Sequence, residues 1–195
     1  MGYREWRNRI RDYAEITNVG PIVRRYFVIG AFDGALTILA IIIAARAAGA
    51  GEAEKSLILT ASIAAGVGLA VSSAVGAYEA ERVEKKLDQW TIERAMLAKM
   101  SEEHRDAYRF AAIVSALVHG GAPLVAAIVP VIPFLVLSMD EATIAAIVVT
   151  VALLFIMGAY LGSLVRERFI LTGLRFVAAG LGTALLLWIL GLRIV

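Results

Sequence analysis

The chain has 195 residues, the length of one domain, and 60% of them are hydrophobic against 18% charged; soluble globular chains run at roughly 45–50% and 25%. With a mean hydropathy of +0.78, that balance excludes a soluble domain and a disordered chain. Cysteine is absent, which removes disulfide scaffolds, thiolate metal sites, iron–sulfur clusters and thiol nucleophiles, and two histidines, His104 and His119, are too few for a multi-histidine site within one chain.

Residues 1–25 interleave arginines with Tyr3, Trp6, Ile10 and Tyr13. The last three fall at i, i+4 and i+7, one face of a helix. This is the pattern of a basic amphipathic segment lying in a membrane interface, and it also serves as a plain topology anchor. Asn18-Val-Gly-Pro21 predicts a break after it. Five apolar spans follow: Tyr26–Ala45, interrupted only by Asp33; Ser56–Tyr78; Phe110–Leu137; Ala142–Val165; and Phe169–Leu192, which carries Arg175. About 20 apolar residues cross a bilayer as a helix, and period-2 alternation of the barrel kind is missing. The expected fold is therefore all-α, a polytopic membrane protein with five transmembrane helices. Residues 26–78 hold the first two and 110–195 the last three. Residues 79–109 form a short cytoplasmic insert, either a helical hairpin or extensions of the second and third helices. The first span is too long for a signal-peptide core, although Ala48-Gly49-Ala50 resembles a cleavage site, so it reads as uncleaved. Gly120-Gly121, Pro123, Pro130 and Pro133 predict a bent or broken third helix.

Six arginines precede the first span, seven Lys or Arg lie between Tyr78 and Phe110, and Arg166, Arg168 and Arg175 flank the last turn. The positive-inside rule then puts the N-terminus and residues 79–109 in the cytoplasm and the C-terminus outside.

Asp33 is the strongest functional candidate. A carboxylate at the centre of a membrane helix costs about 2.5–3.5 kcal/mol on insertion scales, and its default role is an ion or proton site. The alternative is a structural pair with Arg175 or Arg25. Gly30 and Gly34 flank it and allow close helix approach, and Thr37 follows one turn later. These residues predict a two-fold pairing of first helices. Ser72 and Ser73 end the second span; serines in membrane helices usually bond their own backbone, so a ligand role is the lesser reading. His119 is either a proton or metal group or a ring bonded to a neighbouring carbonyl. Beyond Glu79, the acids Glu81, Glu84 and Asp88 recur at i, i+3 and i+7. Glu93, Met96, Met100 and Glu103 share another face. Both sets read equally as metal capture or as the solvated rim of a buried stripe. The phosphate-binding loop G-x-x-x-x-G-K-[ST], G-x-S-x-G and H-E-x-x-H are absent. Asp33-Gly34 lacks the later aspartates of the CDP-alcohol phosphotransferases. The chain therefore does not read as an enzyme, and nothing in it suggests a nucleic-acid partner.

Taken together, these residues resemble the vacuolar iron transporter family from about Val23 to Gly191. Ile29-Gly-Ala-Phe-Asp-Gly-Ala-Leu-Thr37 is like that family's G-x-x-D-G-x-x-[ST]. Ser72-Ser-Ala-Val-Gly-Ala-Tyr78 is like its S-M-x-x-G-E-Y. Gly121-Ala-Pro with Pro130-Val-Ile-Pro133 is like its proline-rich third helix. The resemblance implies a homodimeric, proton-coupled exporter of cytoplasmic Fe²⁺ or Mn²⁺ with no permanently bound cofactor. Asp33 would lie on an ion path between two first helices, and the acidic, Met-containing insert would bind metal. Ser73 stands where the family has Met, and Ala77 where it has Glu, which leaves oxygen ligands suited to harder ions. Two other classes share the composition: a non-transporting membrane scaffold with Asp33 in a salt bridge, and a membrane-embedded enzyme.

Overall fold

The computed structural model describes residues 3–194, with the side chains of Tyr3 and of residues 191–194 outside that description. The predicted place of Tyr3 among the N-terminal aromatics, and residues 1, 2 and 195 of the predicted segments, thus lie outside the described residues. The elements are α1 (Tyr3–Thr17), α2 (Val19–Ala47), a 3₁₀ turn (Glu52–Glu54), α3 (Lys55–Met96), α4 (Glu102–Val131), α5 (Pro133–Val136), α6 (Met139–Leu164) and α7 (Phe169–Ile194). The described residues contain no strand, and five helices are long and apolar enough to cross a membrane.

Three local expectations are refined. The break after the N-terminal helix falls at Asn18 alone, with φ 45°, a conformation asparagine tolerates. Gly20 and Pro21 sit in the first turn of α2, where an N–H has no intrahelical acceptor and proline's missing donor costs nothing. Residues 79–109 are helix extensions: α3 runs 42 residues, about 63 Å at 1.5 Å per residue. That is twice the roughly 30 Å hydrocarbon layer, so the half beyond Tyr78 projects past it. Pro123 lies inside an unbroken α4. The helix is interrupted only at Ile132, before the short α5.

The chain forms two compact units, Met1–Phe27 with Val71–Gly121, and Val28–Ala70 with Ala122–Val195. In the second, Ile38 and Ile42 of α2, Ile58 of α3, Val131 of α4, Phe134 of α5 and Ala142 and Ala146 of α6 form one buried cluster. Ala31, Ala35, Ala122, Ala126, Leu154 and Met157 form another. Lipid is as apolar as leucine, so helices in it associate through close packing, which small residues permit. The α6–α7 pair illustrates this. A Cβ at Gly158 would lie 2.7 Å from the Thr172 carbonyl oxygen, and one at Gly162 would lie 2.8 Å from Thr172 Oγ1. One end of the unit is tied by polar contacts: Arg46 Nη2 to Asp140 Oδ1 at 2.5 Å, and the Met139 N–H donating to Glu52 Oε2 at 2.7 Å. In the first unit, Tyr13 stacks on Phe110 at 5.9 Å between centroids and Thr17 is buried. Part of the predicted interfacial stripe therefore packs on α4, while Trp6 is exposed.

Candidate functional site

Alternation of inward and outward residues on α2 sets the position of Asp33. Gly30, Ala31, Gly34, Ala35, Ile38 and Ile42 point inward, whereas Ile29, Asp33 and Ala44 are exposed and Thr37 is half-buried. A Cβ at Gly34 would lie 2.7 Å from Pro123 Cα, so Gly34 seats α2 directly on the α4 backbone. Successive helix residues are separated by about 100°, and Asp33 is thereby turned outward. Gly34 thus packs on α4 within the chain and Gly30 is buried as well, so the two glycines face away from Asp33 rather than forming one interface with it.

Asp33 has no hydrogen bond or ion pair among the described residues. The arginines considered as its structural partners are engaged elsewhere: Arg25 with Glu81 at 3.5 Å and Arg175 with Glu167 at 3.8 Å. Thr37 is also unusual. Every other threonine turns its hydroxyl back to the carbonyl four residues earlier, the usual way a helix satisfies such a group. Thr37 makes no such bond. One outward stripe of a membrane-spanning helix thus carries a carboxylate and a hydroxyl, neither satisfied within the chain.

A second polar centre lies in the first unit. Glu81 is 1% exposed, its Oε1 accepts from Arg25 Nη2 at 3.5 Å, and its Oε2 is buried without a partner. Glu81 and Arg25 are both electrostatic neighbours of the Tyr26 hydroxyl. His119 Nδ1 meets the Tyr26 carbonyl oxygen at 2.9 Å, and the two rings lie 4.9 Å apart. A carbonyl only accepts, so Nδ1 donates and carries the proton, leaving Nε2 as a lone-pair donor in the neutral ring. Of the two readings of His119, the bonded ring is the one observed.

The remaining predicted ligands do not converge. Glu81 is buried, but Glu84, Asp88 and Glu103 are exposed, and Glu79 binds Arg82 at 2.5 Å. Glu93 accepts from Gln89 Nε2 at 2.8 Å and from the Met100 N–H at 3.0 Å. Those two bonds hold its carboxyl below the usual carboxylate range. Met96 is exposed and Met100 half-buried. Among the described residues no three His, Asp or Glu side chains are grouped to hold a metal ion. Ser72 is exposed and Ser73 half-buried. Sequence reasoning undervalued Glu81 by grouping it with Glu84 and Asp88. The available clue was its spacing from Ala77, four residues earlier and also buried, which puts Glu81 on the inner face where the resembled family has Glu.

A profile of the VIT family matches residues 91–192. The chain belongs to the VIT family. An uncharacterized protein of Methanocaldococcus jannaschii is 30% identical over 167 residues, covering 83% of this chain and 85% of the relative. Family membership indicates metal-ion transport across a membrane in general terms, and an integral multi-pass protein. The matched segment takes in α4–α7 and the end of α3, and the Asp33 stripe lies outside it.

Proposed function

We propose that this VIT-family chain works as a homodimer that moves Fe²⁺ or Mn²⁺ out of the cytoplasm in exchange for protons, with Asp33 of both copies as the central ligands. The observation that carries the reading is the outward, unpartnered Asp33 carboxylate within an apolar span. Facing lipid, it would carry the 2.5–3.5 kcal/mol insertion penalty. Facing its own copy across a two-fold axis, it becomes half of a site. Two carboxylates at one axis repel, so one holds a proton unless a divalent cation neutralises the pair. Proton and metal then compete for the same charge, which is the coupling an antiporter needs. The Thr37 hydroxyls, one turn along the stripe, add neutral oxygen ligands. Carboxylate and hydroxyl oxygens suit Mn²⁺ and Fe²⁺ better than soft ions. Lys and Arg placement supports a cytoplasmic N-terminus and α3–α4 extension, with the C-terminus outside. Ser72, Ser73 and His119 are further pathway candidates, with Glu81 the buried carboxylate nearest the charged ends of the spans.

The test is metal flux in proteoliposomes with Fe²⁺, Mn²⁺ and Mg²⁺ compared, for the native chain and for Asp33→Asn. The variant keeps shape and removes charge. Its flux is expected to fall at least tenfold, equivalent to about 1.4 kcal/mol, with the folded dimer retained. Native-level flux in Asp33→Asn overturns the assignment.

A further inference from the structure

The extensions of α3 and α4 enclose a groove of about 560 Å³ whose walls are cationic. Arg82, Lys85 and Lys86 come from one turn and a half of α3, and Arg105 and Arg109 from the facing turn of α4; Glu93 is the one carboxylate on the wall among the described residues. Counter-charges cover three of these cations: Glu79 on Arg82, Asp88 on Lys85 and Asp106 on Arg109. Lys86 and Arg105 make no ion pair among the described residues, although Arg105 is an electrostatic neighbour of the Glu93 carboxylate on the same wall. Three aromatic rings complete the groove. Lys85 Nζ lies 5.6 Å from the Tyr108 ring centroid and Lys86 Nζ 5.6 Å from that of Trp90, and Tyr78 stands at the end of the uncharged span. At that same end the wall becomes apolar, with Ala112 and the half-exposed Ile113.

The groove is wrong for a metal ion, because its wall carries five cations against one carboxylate, and right for an anion. Its position at the boundary between uncharged span and charged extension narrows the anion further. A ligand seated there meets guanidinium and ammonium groups along the charged extension and Tyr78, Ala112 and the exposed Ile113 at the span end. Phosphate is the anion whose oxygens match arginine's fork of donors, and basic recesses between membrane helices are where phosphate-headed lipids bind. A topology anchor needs only net positive charge in the segment. It does not need two helices to turn their cations toward one recess and line it with rings. We propose that this groove binds the phosphate group of an anionic membrane lipid, with Lys86 and Arg105 as the cations outside its ion pairs and with Trp90 and Tyr108 flanking the headgroup. The site stands apart from the transport reading and survives its failure.

The full-length protein in mixed micelles is titrated with dioleoyl phosphatidylglycerol, with dioleoyl phosphatidylcholine as the zwitterionic reference and glycerol 3-phosphate as the soluble phosphate ester. Thermal stability and lipid retained in native mass spectra are the readouts. Lys86→Gln with Arg105→Gln removes the two cations that make no ion pair, both at exposed positions. Arg94→Gln with Lys99→Gln removes equal charge from the same extension outside the groove. The expected result is preferential retention of the phosphatidylglycerol, weakened at least fivefold by the first pair and less than twofold by the second. Equal weakening by both pairs reduces the effect to general surface charge and overturns the site. Saturation by glycerol 3-phosphate at the same affinity assigns the groove to a soluble phosphate ester and overturns the lipid.

Discussion

Asp33 and Glu81 are carboxylates in opposite circumstances. Glu81 sits on a buried face, 1% exposed, with Arg25 as counter-charge on one oxygen and its Oε2 unpartnered; the chain itself supplies its counter-ion. Asp33 sits on an exposed face of an apolar span with no partner among the described residues. A buried ion pair is a fixture of the fold, and removing one member strands the other. An outward, unpartnered carboxylate makes no ion pair within its own chain, and the proposed transport reading assigns it to a partner copy, an ion or a proton. Burial and pairing together, more than position in the span, separate the acid held within the chain from the one proposed as a ligand.

That distinction can be broken at several points. The largest effect is expected at Gly34, which holds Asp33 outward by pressing α2 onto Pro123. Gly34→Leu forces a side chain into the α4 backbone and should cost about 3 kcal/mol, read as loss of monodisperse, folded protein on size-exclusion chromatography; a stable variant would mean that α2 is not seated there. Next is Arg25→Ala, which leaves Glu81 buried and uncompensated. Arg25 is 58% exposed, so the 3–5 kcal/mol typical of a fully buried pair is discounted to about 2 kcal/mol, a fall of several degrees in Tm. An unchanged Tm would put Glu81 in the same class as Asp33. The comparison sharpens further with Ile29→Cys in this cysteine-free chain. Ile29 lies one turn before Asp33 on the outward stripe, and oxidation in the membrane should join most of the protein into a covalent dimer. Efficient cross-linking from Leu117→Cys on α4 but not from Ile29→Cys would move the interface away from Asp33. The smallest effect concerns a third kind of acid, the half-buried Glu93. Its two hydrogen bonds lower its folded pKa, so its hold on the turn before α4 is complete above the ordinary Glu value of about 4.3. That hold is lost as pH falls through the lower folded value. The Met100 amide signal should therefore titrate with a midpoint below that of a free glutamate, and a midpoint at or above it removes the bond.

Much of this was legible in the sequence because membranes impose simple rules. Backbone groups in lipid must be satisfied within the segment, so length and apolarity alone marked five spans. The four-residue spacing of Gly158 and Gly162 suits close helix approach, and the contact is made with α7. Asp33 stood out because charge inside a span is expensive. Which side of a helix each residue faces was a different matter. Gly34 and Asp33 were adjacent letters that seemed to serve one interface, and Glu81, Glu84 and Asp88 looked like one acidic face. Only the packing of α2 on Pro123 separated the first pair. Only the burial of Glu81 beside Arg25 separated Glu81 from the other two acids. The cationic groove was likewise hidden as a topology signal, since counting charges gives no account of the recess into which they turn. Local composition fixes which segments become helices and how long they run; the face each presents is decided by neighbours distant in sequence, through close contacts and ion pairs that only the folded chain creates.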